Sequence, residues 1–197
     1  MDIARVDERR RDPDGVGRLF RSLARATATY ASDSTLAADS GPLDPLDEDT
    51  VRAYLAALRR LMVVEDQPPW GPRLRSRSRL RGTPKRHFAD PSLAAAALRL
   101  TPSRLLDDIE CMGFLFESLV VRDLRVYAQV ADAEVLQYRD NTGLEVDAAA
   151  VSLLRLAERV DTDRIGKPAM LGVITGFGYG YMRKDGVAVI PIGALGP

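Results

Sequence analysis

The stretch from 113 to 147, GFLFESLVVRDLRVYAQVADAEVLQYRDNTGLEVD, constrains the fold more than any other because it sets a carboxylate into an apolar surface. Its spacing predicts a helix through Phe114 and Tyr127, on which Glu117 is surrounded by Gly113, Phe114, Val120, Val121 and, a turn further on, Leu124. The polar stripe of that helix, Ser118, Arg122 and Arg125, runs elsewhere. A lone ionised carboxylate on such a face costs roughly several kcal/mol, so Glu117 must neutralise, find a charged partner or hold a metal. Downstream, AEVLQYRD and GLEVDA are β-rich runs separated by Asp140, Asn141, Thr142 and Gly143, which predicts a hairpin. In its returning strand Leu144 and Val146 face one way, and Glu145 and Asp147 the other.

The chain before this stretch reads as helical. Val16, Leu19, Phe20 and Leu23 follow helical spacing, and a short helix is expected over Ser34 to Ala38. A third, capped by Asp47, carries the stripe Val51, Tyr54, Leu55, Leu58 and Leu61 and turns Arg52, Arg59 and Arg60 away from it. Three short helices before the β-prone MVVEDQPPW resemble a winged helix-turn-helix, whose last helix would read a DNA groove; a plain trihelical spacer fits the same pattern. After Pro68, Pro69 and Pro72 comes the strongest local charge in the chain. Arg73, Arg75, Arg77, Arg79, Arg81, Lys85 and Arg86 follow one another with no acid between them. Arginines at alternate positions of an extended segment share one side, which suits a phosphate backbone, an acidic protein surface or plain solvent.

In KRHFADPSL, strand alternation puts His87 and Asp90 on opposite faces and speaks against a metal pair. Leu93 to Leu98 reads as a helix, and Thr101 caps another beginning at Pro102. Cys111 reads as a small apolar residue. Beyond Asp147, VSLLRLAERVD is an amphipathic helix, AMLGVITG a buried strand and YMRKDGVAVIPIGAL a hairpin turning at Asp185 and Gly186. The formal charge of zero gives no global pull toward nucleic acid or anionic lipid, so any such attraction is local. No run approaches membrane-span length, and neither a leader nor a disulfide framework is visible, so a cytoplasmic protein without a membrane partner is expected.

Four stretches carry a resemblance to a known family. TPKRHFADPSLAAAAL (83–98), GFLFESLVVRDLRVYA (113–128), YRDNTGLEVDA (138–148) and the helical segment TLAADSGPLDPLDEDTVRAYLAALRRLMVVEDQPPW (35–70) resemble the domain of unknown function that follows a P-loop domain in bacterial and archaeal AAA-type ATPases. The resemblance implies an α/β (α+β) fold in three parts: a trihelical winged-helix-like segment over 1–70, a basic linker over 71–86, and a PD-(D/E)XK nuclease-like mixed sheet flanked by helices over 87–197. It also implies a Mg²⁺ site in which Glu117 and Asp147 are ligands, with Glu145 as the substitute for a third. Two departures bear on activity. Where the family places a strand with Glu-x-Lys, this chain passes from Asp147 through three alanines into a helix, so one core strand is expected to be lacking. No G-x-x-x-x-G-K-[ST] occurs either, so ATP is not expected to bind here in the family's way.

The expectation is therefore a non-catalytic nucleic-acid or protein interaction module, or a remnant. Its possible partners are DNA through the seven basic residues, a separate ATPase domain, or a second copy. A divalent-metal nuclease using Glu117 and Asp147, and a winged-helix DNA-binding regulator, are the alternatives. The shortened sheet leads to one further expectation: AMLGVITG lies parallel to the 145–147 strand or leaves an open slot that favours self-association.

Overall fold

The computed structural model describes residues 11–41, 43–69, 83–130, 133–137, 150–175 and 179–194. The described chain is a mixed α and β structure with two small sheets, and its contacts group it into two compact units. One comprises 1–67 with 83–135, the other 68–82 with 136–197. This grouping differs from the expected division at 70 and 86, because the chain from 83 to 135 packs with the N-terminal helices rather than with the C-terminal strands.

In the first unit three helices come first: α1 (Pro13–Arg25), α2 (Asp33–Asp39) and α3 (Glu48–Arg60). Each starts where a side chain can take an orphan N–H. Asp12 accepts from Gly15, Ser32 from Thr35 and Asp47 from Thr50. Their apolar stripes converge: Leu19, Leu23, Leu36, Val51, Leu55 and Leu58 are buried in one cluster. The C-terminus of α3 closes on Met62, which takes a φ of 55°; Met62 N–H donates to the Arg59 carbonyl and Val63 N–H to that of Leu58.

Strand β1 (Val64–Gln67) then pairs antiparallel with β2 (Lys85–Phe88), in the register Val64↔Phe88, Glu65↔His87, Asp66↔Arg86 and Gln67↔Lys85. The chain between α1 and α2 joins on the far side of β2 through a bridge at Thr29↔Arg86. The two faces of this hairpin differ in kind. Val64 and Phe88 enter the helical core, where the Phe88 ring meets Phe20 edge-on at 4.9 Å between centroids. Glu65, Gln67, Lys85 and His87 make up the other face, and all four are polar.

Helices α4 (Pro91–Ala97), α5 (Pro102–Asp107) and α6 (Ile109–Val130) follow. The run from Thr101 is not one continuous helix, because Asp108 leaves the helical region at φ −124°, ψ 80° and its carboxylate accepts the Cys111 N–H. Among the residues from 133 to 137, where a strand was expected, Gln137 makes one parallel bridge, to Pro69. The rest of the expected hairpin, with Glu145 and Asp147, lies outside the described residues, as does the slot it would have left or filled.

The second unit holds α7 (Ala150–Arg159), α8 (Thr162–Ile165) and strands β3 (Leu171–Thr175), β4 (Tyr181–Met182) and β5 (Val187–Pro191). The strand order is β3-β5-β4, with β3 parallel and β4 antiparallel to β5. The turn falls where expected. Gly186 supplies a φ of 83°, and the Asp185 carboxylate takes the Val187 N–H and a two-pronged contact from Arg183.

Candidate functional site

The polar face of the β1–β2 hairpin is covered by α6, and the pairing between them brings together Glu65, Lys85, His87, Glu117 and Arg125. Glu117 and Ser118 lie on one turn of α6, with Val121 and Arg125 following at helical spacing. Lys85 and His87 project from the same face of β2, two residues apart. The two periodicities bring Lys85 to Glu117 and His87 to Ser118.

The Lys85 Nζ donates to Glu117 Oε1 at 2.6 Å, with 3% of the lysine side chain exposed against 28% of the glutamate. The same ammonium lies 5.5 Å from the centroid of the Tyr30 ring. Glu117 therefore takes a cation as its apolar surroundings required. Among the residues the structure describes, that cation is a lysine from β2, while Arg122, on the same helix as Glu117, contacts Asp123 and Asp90.

His87 sits deeper. Its Nε2 is 3.2 Å from Gln67 Oε1 and its Nδ1 is 3.0 Å from Ser118 Oγ, while Ser118 Oγ is 3.4 Å from Thr27 Oγ1. A carboxamide oxygen only accepts, so Nε2 carries the hydrogen and Nδ1 accepts from the Ser118 hydroxyl. Burial, then the positive charges of Arg125 and Lys85, push the His87 pKa down to about 3, so the imidazole is neutral. A hydroxyl donating to a neutral imidazole has the outline of an activated nucleophile. Here it has no access: Ser118 is fully buried and His87 nearly so. The arrangement is a satisfied core histidine rather than a catalytic pair.

Arg125 closes the far end of the seam, with Nη1 on Glu65 Oε2 and Nη2 donating to the Asp66 carbonyl at 2.8 Å. Ser118 and Arg125, which the sequence set apart as a polar stripe, thus point into the molecule. Their polar partners were waiting on the hairpin. The mate of Asp66 is on the opposite face of the strand: Arg86 pairs with Asp33 at 2.7 Å and donates to the Ala31 carbonyl, and Arg59 pairs with Asp66 at 2.7 Å.

Of the seven basic residues expected at a nucleic-acid surface, Lys85 and Arg86 lie in β2, buried and ion-paired, rather than in a linker. Arg73, Arg75, Arg77, Arg79 and Arg81 fall outside the described residues. On α3, Arg52 is exposed but contacts Asp49 at 2.6 Å and Asp33 at 3.7 Å, and Glu48 and Asp49 make its first turn acidic. Of the metal candidates, Glu117 is described and bound to Lys85; Glu145 and Asp147 lie outside the description. Among the described residues no group of three or more His, Cys, Asp or Glu could hold a metal ion. Burial, with help from Asp108, pushes the Cys111 thiol up, which suits a packing role. The seam itself, Gln67–His87–Ser118–Thr27, was missed by sequence reading; the signal available was a strand, KRHF, with cationic and polar residues at alternate positions beside a helix with Glu-Ser and Arg at one spacing.

A family model for a domain of unknown function, DUF8612, matches residues 1–104, and the chain belongs to that family. The matched span includes α1 to α4 and both strands of the hairpin, and ends before α6; it carries no link to AAA-type ATPases or to a nuclease-like fold. No curated protein and no solved structure matches the chain. Among the described residues, no helix is long and apolar enough to cross a membrane.

Proposed function

We propose that this member of the DUF8612 family is a non-catalytic interaction module that engages nucleic acid through phosphate contacts from Arg73, Arg75, Arg77, Arg79 and Arg81, and that it corresponds to the back part of an AAA-type ATPase. One observation carries the reading. These five arginines lie in the connection between two strands paired as Gln67↔Lys85, so the chain leaves and re-enters the first unit at one end of a hairpin. The order of elements supports the winged-helix comparison: helix, bridging residue, two helices, then a hairpin whose second strand takes that bridge. In such a module the connection is the wing. The same comparison would make α3 the groove reader, but its acidic first turn and the acid-bound Arg52 oppose that role. Binding through the arginines alone is electrostatic and indifferent to base sequence.

The test is a titration with a short DNA duplex in the presence of Mg²⁺, with the DNA recovered afterwards. Binding should be abolished by neutralising the five arginines and unaffected by chelator, and the DNA should be recovered intact.

A second reading is favoured by the Lys85 ammonium beside Glu117, since a lysine near metal-bound carboxylates is what the missing Glu-x-Lys strand would supply. It is a divalent-metal phosphodiesterase with Glu117 and Asp147 as ligands and Glu145 as substitute. That reading requires Mg²⁺- or Mn²⁺-dependent nicking lost in Asp147→Ala.

A further inference from the structure

Helix α5 and the start of α6 leave an apolar surface uncovered. Leu106 is 67% exposed and Ile109 is 60% exposed, with Met112 one helical step beyond. Leu105 and Cys111, from the same segment, pack toward the core, so the exposed three lie on the opposite side. Asp107, Asp108 and Glu110 lie among them, all exposed, and Arg104 is the only cation between 102 and 112. Three side chains supply at most a few hundred Å² of apolar area, well short of the roughly 800 Å² per partner of a standard interface. A face-to-face pair of these helices is therefore the weaker occupant, and charge decides. What suits carboxylates interleaved with apolar side chains is a row of arginines, whose methylene stems cover apolar surface while their forks take carboxylates two-pronged. The chain itself carries such a row.

We infer that the surface formed by Leu106, Ile109, Met112, Asp107, Asp108 and Glu110 docks the Arg73–Arg81 run of a second copy of this chain. Each copy then offers one run and one patch. The contact is head-to-tail, and association continues beyond the dimer unless a ring closes. Because the cations used are those assigned to phosphate, duplex DNA competes with the patch; the self-contact itself does not require that DNA be a natural ligand.

Sedimentation of the full chain over a range of concentrations at low salt tests this. Two variants are needed: a run variant with the five arginines changed to Gln, and a patch variant carrying Asp107→Asn, Asp108→Asn and Glu110→Gln, in which the carboxamide oxygen introduced at position 108 can still accept the Cys111 N–H. The wild type should form species larger than a dimer that dissociate as salt rises. Either variant alone should associate at least about tenfold more weakly. An equimolar mixture of the two, which retains one intact run and one intact patch, should form a heterodimer and stop there. A wild type monomeric throughout, or variants whose mixture stays monomeric, would overturn the proposal. So would association that ignores both charge variants and disappears with Leu106→Ser and Ile109→Ser, since the occupant would then be the same helical face of the second copy.

Discussion

At the scale of single residues, burial separates the two members of the Lys85–Glu117 pair. Removing the partner of a buried charge costs more than removing the buried charge itself, because what remains must be solvated. Lys85 is almost wholly enclosed and Glu117 reaches solvent. Glu117→Ala should therefore destabilise the chain by about 2–4 kcal/mol in urea unfolding, and Lys85→Met, which leaves a carboxylate that reaches solvent, by less. Equal costs would show that the pair does not set the energetics there. His87 makes a pH prediction of definite sign. Its folded pKa is depressed to about 3, below the unfolded value near 6.5, so the unfolded chain binds the extra proton between those limits. The stability that the neutral ring contributes is complete above about pH 6.5 and is lost as pH falls toward 3, at up to roughly 1.4 kcal/mol per pH unit. Unfolding midpoints from pH 7 to 4 should show this slope, and His87→Gln should flatten it. That Glu117 needed a cation was legible in its apolar neighbours. Which cation was not, because Lys85 is 32 residues away and is presented by a strand whose docking no local pattern encodes.

At the scale of elements, caps and stripes carry most of what a sequence can say. Asp47, Thr101 and the Asp185–Gly186 turn mark boundaries that the structure keeps. The break at Asp108 was not legible, since the residues on both sides continue a helical pattern and the carboxylate that restarts the helix is itself a common helix residue. Ser118 and Arg125 of α6 were legible as part of a polar stripe but not as part of an inner face. Polarity implies solvent only until a second element offers matching donors and acceptors, and the hairpin face of Glu65, Gln67, Lys85 and His87 does so. One element carries correctable strain. Met62 holds a left-handed conformation at the end of α3 with its side chain mostly exposed. Met62→Gly should stabilise the chain by about 0.5–1 kcal/mol, read as a rise in the urea midpoint at unchanged slope. A fall would mean that the side chain contributes packing that outweighs its backbone cost.

At the scale of the whole molecule, the net charge of zero hides a segregated distribution. Acids at Asp33, Asp66, Glu65 and Glu117 are matched one by one to Arg86, Arg59, Arg125 and Lys85 inside the first unit. The five arginines from 73 to 81 have no acid among them in sequence. The division of the chain into units could not be read from composition, because the N-terminal helices and the stretch from 83 to 135 join through β2 and α4, across a connection that looks like a domain linker. If this connection binds the phosphate backbone as proposed, the salt dependence of binding to a duplex of arbitrary sequence reports it. Five phosphate contacts predict a slope of log affinity against log salt of about −4 to −5, a loss of several hundred-fold, roughly, between 50 and 200 mM. Replacing Arg75, Arg77 and Arg79 by Gln should reduce that slope to about −2. Binding that is flat in salt, or that keeps its slope without those arginines, would contradict the account.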